Sequence, residues 1–451
     1  VKMNTRLDNR VFDLRVPTTQ AIFKLQSGVA HLFREYLDSQ NFIEIHSPKL
    51  IGGASEGGSN VFKFKYFNQD ACLAQSPQLY KQMCIISDFK RVYEIGPVFR
   101  AENSFTSRHL CEFTGLDIEM EIKEHFFEVL DVLGELFYFI FKGLNERYAK
   151  ELEIVNNQYP FEPLVLTPEV LKLPWSEGIK LLTENGFKQD INEDLDTENE
   201  KALGKLVKDK YKTDFYILYG YPKSARPFYT MPDPKDDNFT NSFDAFIRGE
   251  EILSGAQRIH DYDLLLQKVK EKEINPETLS DYLNAFKLGA PAHGGAGIGL
   301  ERVVKLFVGL GNIKKCVLFP RDSSDLALFH EFGDFIRKIK RIKVIARILI
   351  FLEKRVFDTL MSLLYLLAVY SQCCGIHDSR IKPYAQTGII VRRNRIAVTD
   401  LEACRTFGNP RTTFLQDGIF GNFPIERVIR SIIIVGTGEE KCCKSRYEIK
   451  F

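Results

Sequence analysis

The sequence predicts an α+β unit followed by a separate extension, and three observations carry that prediction. Residues 93–122 read as an antiparallel hairpin, with one strand near Tyr93–Arg100 and the other near Phe113–Ile122. Ahead of it, Ile22, Leu25, Val29, Leu32 and Tyr36 recur at spacings of three and four, the signature of an amphipathic helix. Near Asp325 the charge balance changes. Residues 325–451 hold 21 Lys and Arg against 13 Asp and Glu (+8), so the net charge of +1 leaves −7 on residues 1–324. At 451 residues the chain is too long for one typical domain. A hydrophobic share of 44% and a charged share of 27% fit a soluble globular protein.

Taken in order, residues 1–17 are largely polar and end at Pro17, a linker-like entry. Thr18 or Thr19 caps the first long helix, Asn41 ends it, and Phe42–Ile45 reads as a strand before Pro48. The glycine-rich run Gly52–Asn60 carries Glu56 in its middle. A flexible linker accounts for the glycines; a mobile lid accounts for the carboxylate as well. Val61–Phe67 alternates as a strand, and Ser76-Pro77 opens a helix with proline in its first turn. A helix is expected from His125 to Glu151, short helices and turns over 153–240, and a buried strand at Phe215–Leu218.

Beyond Asp325, Phe335–Ile350 is basic and apolar, and Thr359–Ile376 is a charge-free run of 18 residues. That length is the lower limit for a bilayer span. Ser362, Gln372 and the cysteines favour a buried or amphipathic helix instead, so no membrane contact is expected. The extension 325–451 is read as largely helical or irregular. Its basic balance suits nucleic acid or acidic lipid, and equally a solvated tail. Nine cysteines without any C-x-x-C fit reduced thiols in a cytosolic protein better than a disulfide framework or zinc site.

Four charged constellations sit on separate segments. The hairpin holds Arg100, Glu102, Arg108, His109, Asp117 and Glu119. Strand residues two apart share a face, so Asp117, Glu119 and Glu121 align. Arginine reads phosphate as a bidentate fork, and carboxylates beside it suit an amine-bearing substrate. A solvated hairpin with surface ion pairs is the plainer alternative. The second constellation, Gln75–Lys81, puts Gln78 and Lys81 on one helical face. The third, Asn241–Arg258, offers Asp244, Glu251 and Ser254 as hard oxygen ligands suited to magnesium, with Arg258 as a cation. The fourth, Ala292–Arg302, reads as a glycine-rich turn into a helix carrying Glu301 and Arg302. It has neither G-x-x-x-x-G-K-[ST] nor G-x-G-x-x-G spacing, which excludes P-loop and Rossmann readings.

Together these segments resemble the catalytic domain of class II aminoacyl-tRNA synthetases, most closely the aspartyl-tRNA synthetases of eukaryotic cytosol and archaea. The helix–strand unit ending at Pro48 resembles the family's first motif, a dimer interface. Phe99-Arg-Ala-Glu102 through Glu119 resembles the second, and Gly297-Ile-Gly-Leu-Glu-Arg302 the third. Gly53–Gly58 and Gln75–Lys81 resemble aspartate-specific features. The resemblance covers roughly residues 6–322 and implies a mainly antiparallel sheet flanked by helices, with a catalytic domain at 18–324.

It also implies roles. Arg100 and Arg302 would be catalytic, gripping the α- and γ-phosphates of ATP. Glu102, Arg108, His109, Leu110, Phe113, Glu251 and Gly299 would complete the ATP site, Phe113 by stacking on adenine. Asp244, Glu251 and Ser254 would bind Mg2+. Lys81 and Arg258 would meet the aspartate side chain, Glu56 and Asp117 its ammonium, and Ser55, Gln78, Glu119, Ser254 and His293 would line the rest. The reaction implied is aspartyl-adenylate formation followed by transfer to the terminal adenosine of tRNA(Asp), in a cytoplasmic homodimer.

The sequence departs from the family pattern in three places. Residues 1–17 are where an anticodon-binding domain would have ended, so they are expected to be its linker remnant. The 129 residues after Asp322 have no recognised counterpart and are compatible with an appended module, a regulatory tail or translated non-coding sequence. Pro291-Ala-His-Gly-Gly-Ala-Gly297 differs from the usual Pro-Pro-His-Ala-Gly-Gly-Gly but keeps the histidine. Two other readings stay open: a paralogue making asparagine from aspartyl-adenylate and ammonia, and an inactive tRNA- or protein-binding module. Keeping Arg100, Arg302, Asp244, Glu251 and Ser254 together argues against the inactive module.

Overall fold

The structure, a computed structural model, describes residues 2–52, 61–103 and 106–323, together with 387–392, 395–400, 434–437 and 446–449. The chain divides into two units, Val1–Glu331 and Phe332–Phe451. The first opens with short helices α1 (Met3–Asp8) and α2 (Arg10–Asp13) and the long α3 (Pro17–Ser39). Residues 1–17, expected as a linker remnant, thus include two short helices. Arg10 is buried, pairs with Asp13, and donates to the carbonyls of Leu318 at 2.7 Å and Val317 at 2.5 Å. Polar composition conceals a packed segment because its polar groups are satisfied internally.

There follow β1 (Ile43–Glu44), β2 (Leu50–Ile51), β3 (Lys63–Tyr66), β4 (Gln69–Leu73), α4 (Gln78–Ile86), β5 (Arg91–Phe99) and β6 (Glu112–Glu121). Pro77 directly precedes α4, and Ser76 Oγ accepts from the Gln78 amide at 3.3 Å. The helix expected over 125–151 is two, α5 (Phe127–Arg147) and α6 (Ala149–Gln158), broken at Tyr148. Then come β7 (Leu171–Pro174), α7 (Trp175–Glu184), α8 (Thr197–Tyr211), β8 (Phe215–Tyr219), β9 (Ser242–Ile247), β10 (Glu250–Gln257), α9 (Tyr262–Glu271), α10 (Ser280–Phe286), β11 (His293–Gly299) and α11 (Leu300–Phe307).

Eight strands form one sheet in the order β1-β5-β6-β11-β10-β9-β8-β7. The six from β5 to β8 pair antiparallel, and β1 and β7 join the two edges in parallel. Alternation sorts its two faces. Leu116, Ile118 and Met120 of β6, Phe243 and Ala245 of β9, and Ala296 and Ile298 of β11 enter one core with α3, α5 and α11. The opposite face carries the polar residues between them. The second unit's described residues form two antiparallel strand pairs, Thr387–Arg392 with Arg395–Asp400 and Ile434–Thr437 with Arg446–Ile449. The run Thr359–Ile376 lies outside the described residues.

Candidate active site

The polar face of the large sheet floors a cavity of about 440 Å³. The glycine-rich segment expected as a turn is the central strand β11, and this correction explains the glycines. Gly295 pairs with Glu119 and Gly297 with Asp117 across the β6–β11 ladder. A Cβ on Gly295 would lie 2.4 Å from Glu119 Oε2, and one on Gly297 would lie 3.2 Å from Asp117 Oδ1. Glycine in a strand marks such a close approach: the β6 carboxylates lean over β11 into space that any side chain would fill.

At this end four charges pair in a closed set. Arg258 holds Glu119 through Nε at 2.9 Å and a terminal nitrogen at 3.2 Å. Lys81 Nζ lies 3.1 Å from Asp117 and 3.4 Å from Glu119. All four are buried. Burial alone would raise the Glu119 carboxyl, but Arg258 and Lys81 outweigh it and hold it below the usual carboxylate range. Gln78, Asp117 and Arg258 line the cavity; Lys81, Glu119 and His293 lie beneath it. His293 is therefore part of the supporting layer and not of the cavity wall. Its Nδ1 lies 2.8 Å from the Pro291 carbonyl and its Nε2 3.0 Å from Gln82 Nε2. Gln82 Oε1 in turn accepts from Gln78 and Tyr282. Those partners require an imidazole protonated on Nδ1 alone, and burial lowers its pKa accordingly. Ser55 and Glu56 lie outside the described residues.

At the other end Arg100, Glu102, Arg108, His109, Leu110, Phe113, Gly299 and Arg302 line the cavity. The Arg100 guanidinium sits 5.5 Å from the Phe113 ring centre. Arg302 donates to the Glu251 carbonyl at 3.1 Å and approaches its carboxylate at 3.7 Å. Burial, with Arg302 and Arg108 nearby, lowers the His109 pKa and favours the neutral ring. Arg108 turns toward α8, bonding Glu200 at 2.6 Å and Thr197 at 2.8 Å.

Asp244, Glu251 and Ser254 also reach the cavity. Residues 251 and 254 would face opposite ways in a regular strand, but the β9–β10 register shifts between Glu251 and Leu253. That bulge turns both to one side. Asp244 is less available than expected: Arg226 binds both its carboxylate oxygens, at 2.9 and 2.7 Å, and Ser254 Oγ at 2.7 Å. Among the described residues no three His, Cys, Asp or Glu side chains cluster to hold a metal. The hard oxygens present nonetheless fit magnesium, which is usually held by one or two carboxylates plus substrate phosphates.

The chain resembles known proteins in sequence and fold. The family described as tRNA synthetases class II (D, K and N) matches residues 2–323. The chain belongs to this family. Within it, "Aspartate--tRNA ligase 1, cytoplasmic" of Arabidopsis thaliana is 59% identical over 326 residues, covering 72% of this chain and 61% of that protein. The solved aspartyl-tRNA synthetase of Entamoeba histolytica is 51% identical with a TM-score of 0.67, covering 72% and 63%. The asparaginyl-tRNA synthetase of Pyrococcus horikoshii, solved with asparaginyl-adenylate, is 32% identical with a TM-score of 0.67, covering 72% and 74%. The chain thus spans about three fifths of the length of the Arabidopsis relative.

As a class II synthetase it carries cavity residues that sequence reasoning passes over: Asp194 and Arg226 in the wall, and Glu200 behind Arg108. Arg226 has one signal, the following Pro227, which disfavours helix at the residue before it. Its backbone is extended, at φ −121° and ψ 150°. Nothing local to Glu200 distinguishes it from the other acids of the polar segment around it.

Proposed function

We propose that the chain is the catalytic part of an aspartate–tRNA ligase. The observation carrying this reading is the division of one cavity into two charge environments. Lys81 and Arg258 face Asp117 and Glu119 at one end, while Arg100, Arg302 and the neutral His109 occupy the other. The first suits a zwitterion with an acidic side chain. Asp117 attracts the ammonium, and Arg258, backed by Lys81, receives the side-chain carboxylate. Asparagine would leave those cations short of an anion in a desolvated site. The greater identity to aspartate than to asparagine relatives supports the same choice.

At the second end, Arg100 grips the α-phosphate, Phe113 stacks on adenine, and Arg302 holds the γ-phosphate. Glu102, Arg108, His109, Leu110 and Gly299 complete the nucleotide site. Glu251 and Ser254, with Asp244 behind them, would hold magnesium, which would supply charge neutralisation for the departing pyrophosphate. No general base is needed for the first step. The ionised α-carboxylate of aspartate attacks the α-phosphorus, forming the acyl phosphate as the bond to pyrophosphate breaks. Residues of the chain contribute alignment and charge stabilisation. The adenylate then passes its acyl group to the terminal adenosine of tRNA(Asp).

Dimerisation through the helix–strand–Pro48 unit is part of the proposal, supported by Ile43 and Leu50, which leave apolar surface exposed on short strands. A cytoplasmic location is supported by the names of the curated relatives. No helix among the described residues is long and apolar enough to cross a membrane. The test is ATP–pyrophosphate exchange with aspartate, asparagine and lysine in parallel. Exchange driven by aspartate is expected; exchange driven by either of the others but not by aspartate would overturn the specificity.

A further inference from the structure

Arg226 occupies a position that a merely structural ion pair would not need. It lies between β8 and β9 with its guanidinium 3.9 Å from the ring centre of Tyr221, which packs at 4.5 Å on Trp175. That aromatic stack belongs to the core built by β7, α7, α8 and β8. The guanidinium is thereby anchored from behind while its terminal nitrogens reach forward. Asp244 and Ser254 are directly opposed in the β9–β10 ladder, and the two nitrogens span that cross-strand pair. Both carboxylate oxygens of Asp244 are accepting, and so is Ser254 Oγ. Glu251 is the remaining carboxylate of the expected metal set, and its ion pair is with Arg302.

We infer that Arg226 is a positioning residue for the metal–nucleotide: it neutralises Asp244, keeps it from direct ligation, and fixes the Ser254 hydroxyl beside Glu251. This rests on the ATP- and magnesium-dependent reading above. The planar fork explains why the residue is arginine, since lysine supplies the charge but cannot span two strands with fixed donors. Three consequences follow for the metal. Loss of Arg226 weakens it although Arg226 is no ligand. Loss of the Asp244 charge alone weakens the metal less than loss of Glu251 does. Removing that charge relieves much of the damage done by losing Arg226, because the uncompensated carboxylate is what disorders the site.

The experiment measures Mn2+ binding by electron paramagnetic resonance, using purified full chain with a non-hydrolysable ATP analogue. The variants are Arg226→Met, Arg226→Lys, Asp244→Asn, Glu251→Gln and the double variant Arg226→Met with Asp244→Asn; melting curves report the fold. Arg226→Met is expected to weaken Mn2+ about 10- to 100-fold, as loss of residues supporting metal ligands does. Arg226→Lys should fall between it and wild type, and Asp244→Asn should lose less affinity than Glu251→Gln. The double variant should bind better than Arg226→Met. Wild-type affinity in folded Arg226→Met, or an Asp244→Asn loss as large as that of Glu251→Gln, would overturn the inference. If Arg226→Met fails to fold, Arg226→Lys decides the matter: unchanged affinity overturns the inference, weakened affinity supports it. Failure of aspartate to drive exchange while Mn2+ binding follows this pattern would reject the substrate assignment and leave the role of Arg226 standing.

Discussion

The two ends of the cavity are built by different means. At the β6–β11 end, Lys81, Asp117, Glu119 and Arg258 are buried, interlocked, and held on strands and a helix whose backbones pair or pack on one another. At the end proposed for the nucleotide, Arg100, Arg108 and His109 ride on or beside the loop joining β5 to β6 and are partly exposed. The difference separates discrimination from accommodation. A closed set of buried charges rejects a ligand that does not complete it, because any unpaired member lacks water to turn to. Loop-borne arginines can follow a flexible triphosphate.

The largest effect should come from breaking the closed set. Glu119→Ala leaves Arg258 buried without its bidentate partner and takes from Lys81 one of its two carboxylate neighbours. A loss of about 3–5 kcal/mol of stability is expected in chemical denaturation, together with loss of aspartate-dependent exchange. A variant as stable as wild type would show that water or a rearranged side chain reaches this end, and the contrast between the two ends would fail. Arg100→Ala tests the nucleotide end. Exchange should fall about 100- to 1,000-fold, the usual cost of removing one donor to developing charge. The contact with Phe113 goes with it, at a cost to the fold of about 1 kcal/mol. Exchange that persists at the wild-type rate would remove Arg100 from the chemistry.

These ends also differ in how far sequence reveals them. The β5–β6 hairpin is legible because alternation and charge coincide there: from Leu116 to Glu121 of β6 even positions are core and odd positions carry carboxylates. The strand β11 is misread because Gly294, Gly295 and Gly297 suggest a turn locally, whereas the reason for Gly295 and Gly297 lies in the side chains of Glu119 and Asp117 on the neighbouring strand. Arg226 is missed for a related reason. Its partners are 18 and 28 residues away in sequence, and only the β9–β10 register brings them together. The cations of the β6–β11 end can be found by type, but that Lys81 and His293 lie beneath the cavity depends on packing depth, which periodicity does not report.

Glu301, in the cavity wall, gives a pH test. It is buried and accepts from the Thr114 amide at 3.1 and 3.2 Å, yet burial still raises its carboxyl from the ordinary 4.5 to about 7. The folded state therefore favours the protonated form more than the unfolded chain does. Its contribution to stability is complete below pH 4.5, declines as pH rises toward 7, and is flat above. Glu301→Gln keeps an acceptor for Thr114 without the charge. Its advantage over wild type should grow across that window to about 2–3 kcal/mol at about pH 8, by denaturation at each pH. A pH-independent difference would mean that the carboxylate is compensated by charge and not simply buried.

The smallest effect probes how free the loop end is. Arg108 is tied to Thr197 and Glu200, both in the first turns of α8, and Asp196 caps that helix by accepting from the amides of Glu198 at 2.9 Å and Asn199 at 2.8 Å. Burial lifts the Glu200 carboxyl to about 7 even with Arg108 against it. Asp196→Ala should cost about 1 kcal/mol through loss of the cap. Asp196 is not among the residues lining the cavity, so a merely local cap would leave the KM for ATP unchanged. A KM that rises while kcat holds would show that α8 presets Arg108 for the nucleotide, since loss of uniform binding has that signature. The nucleotide end would then be partly preorganised through α8, and the distinction between the two ends would become one of degree.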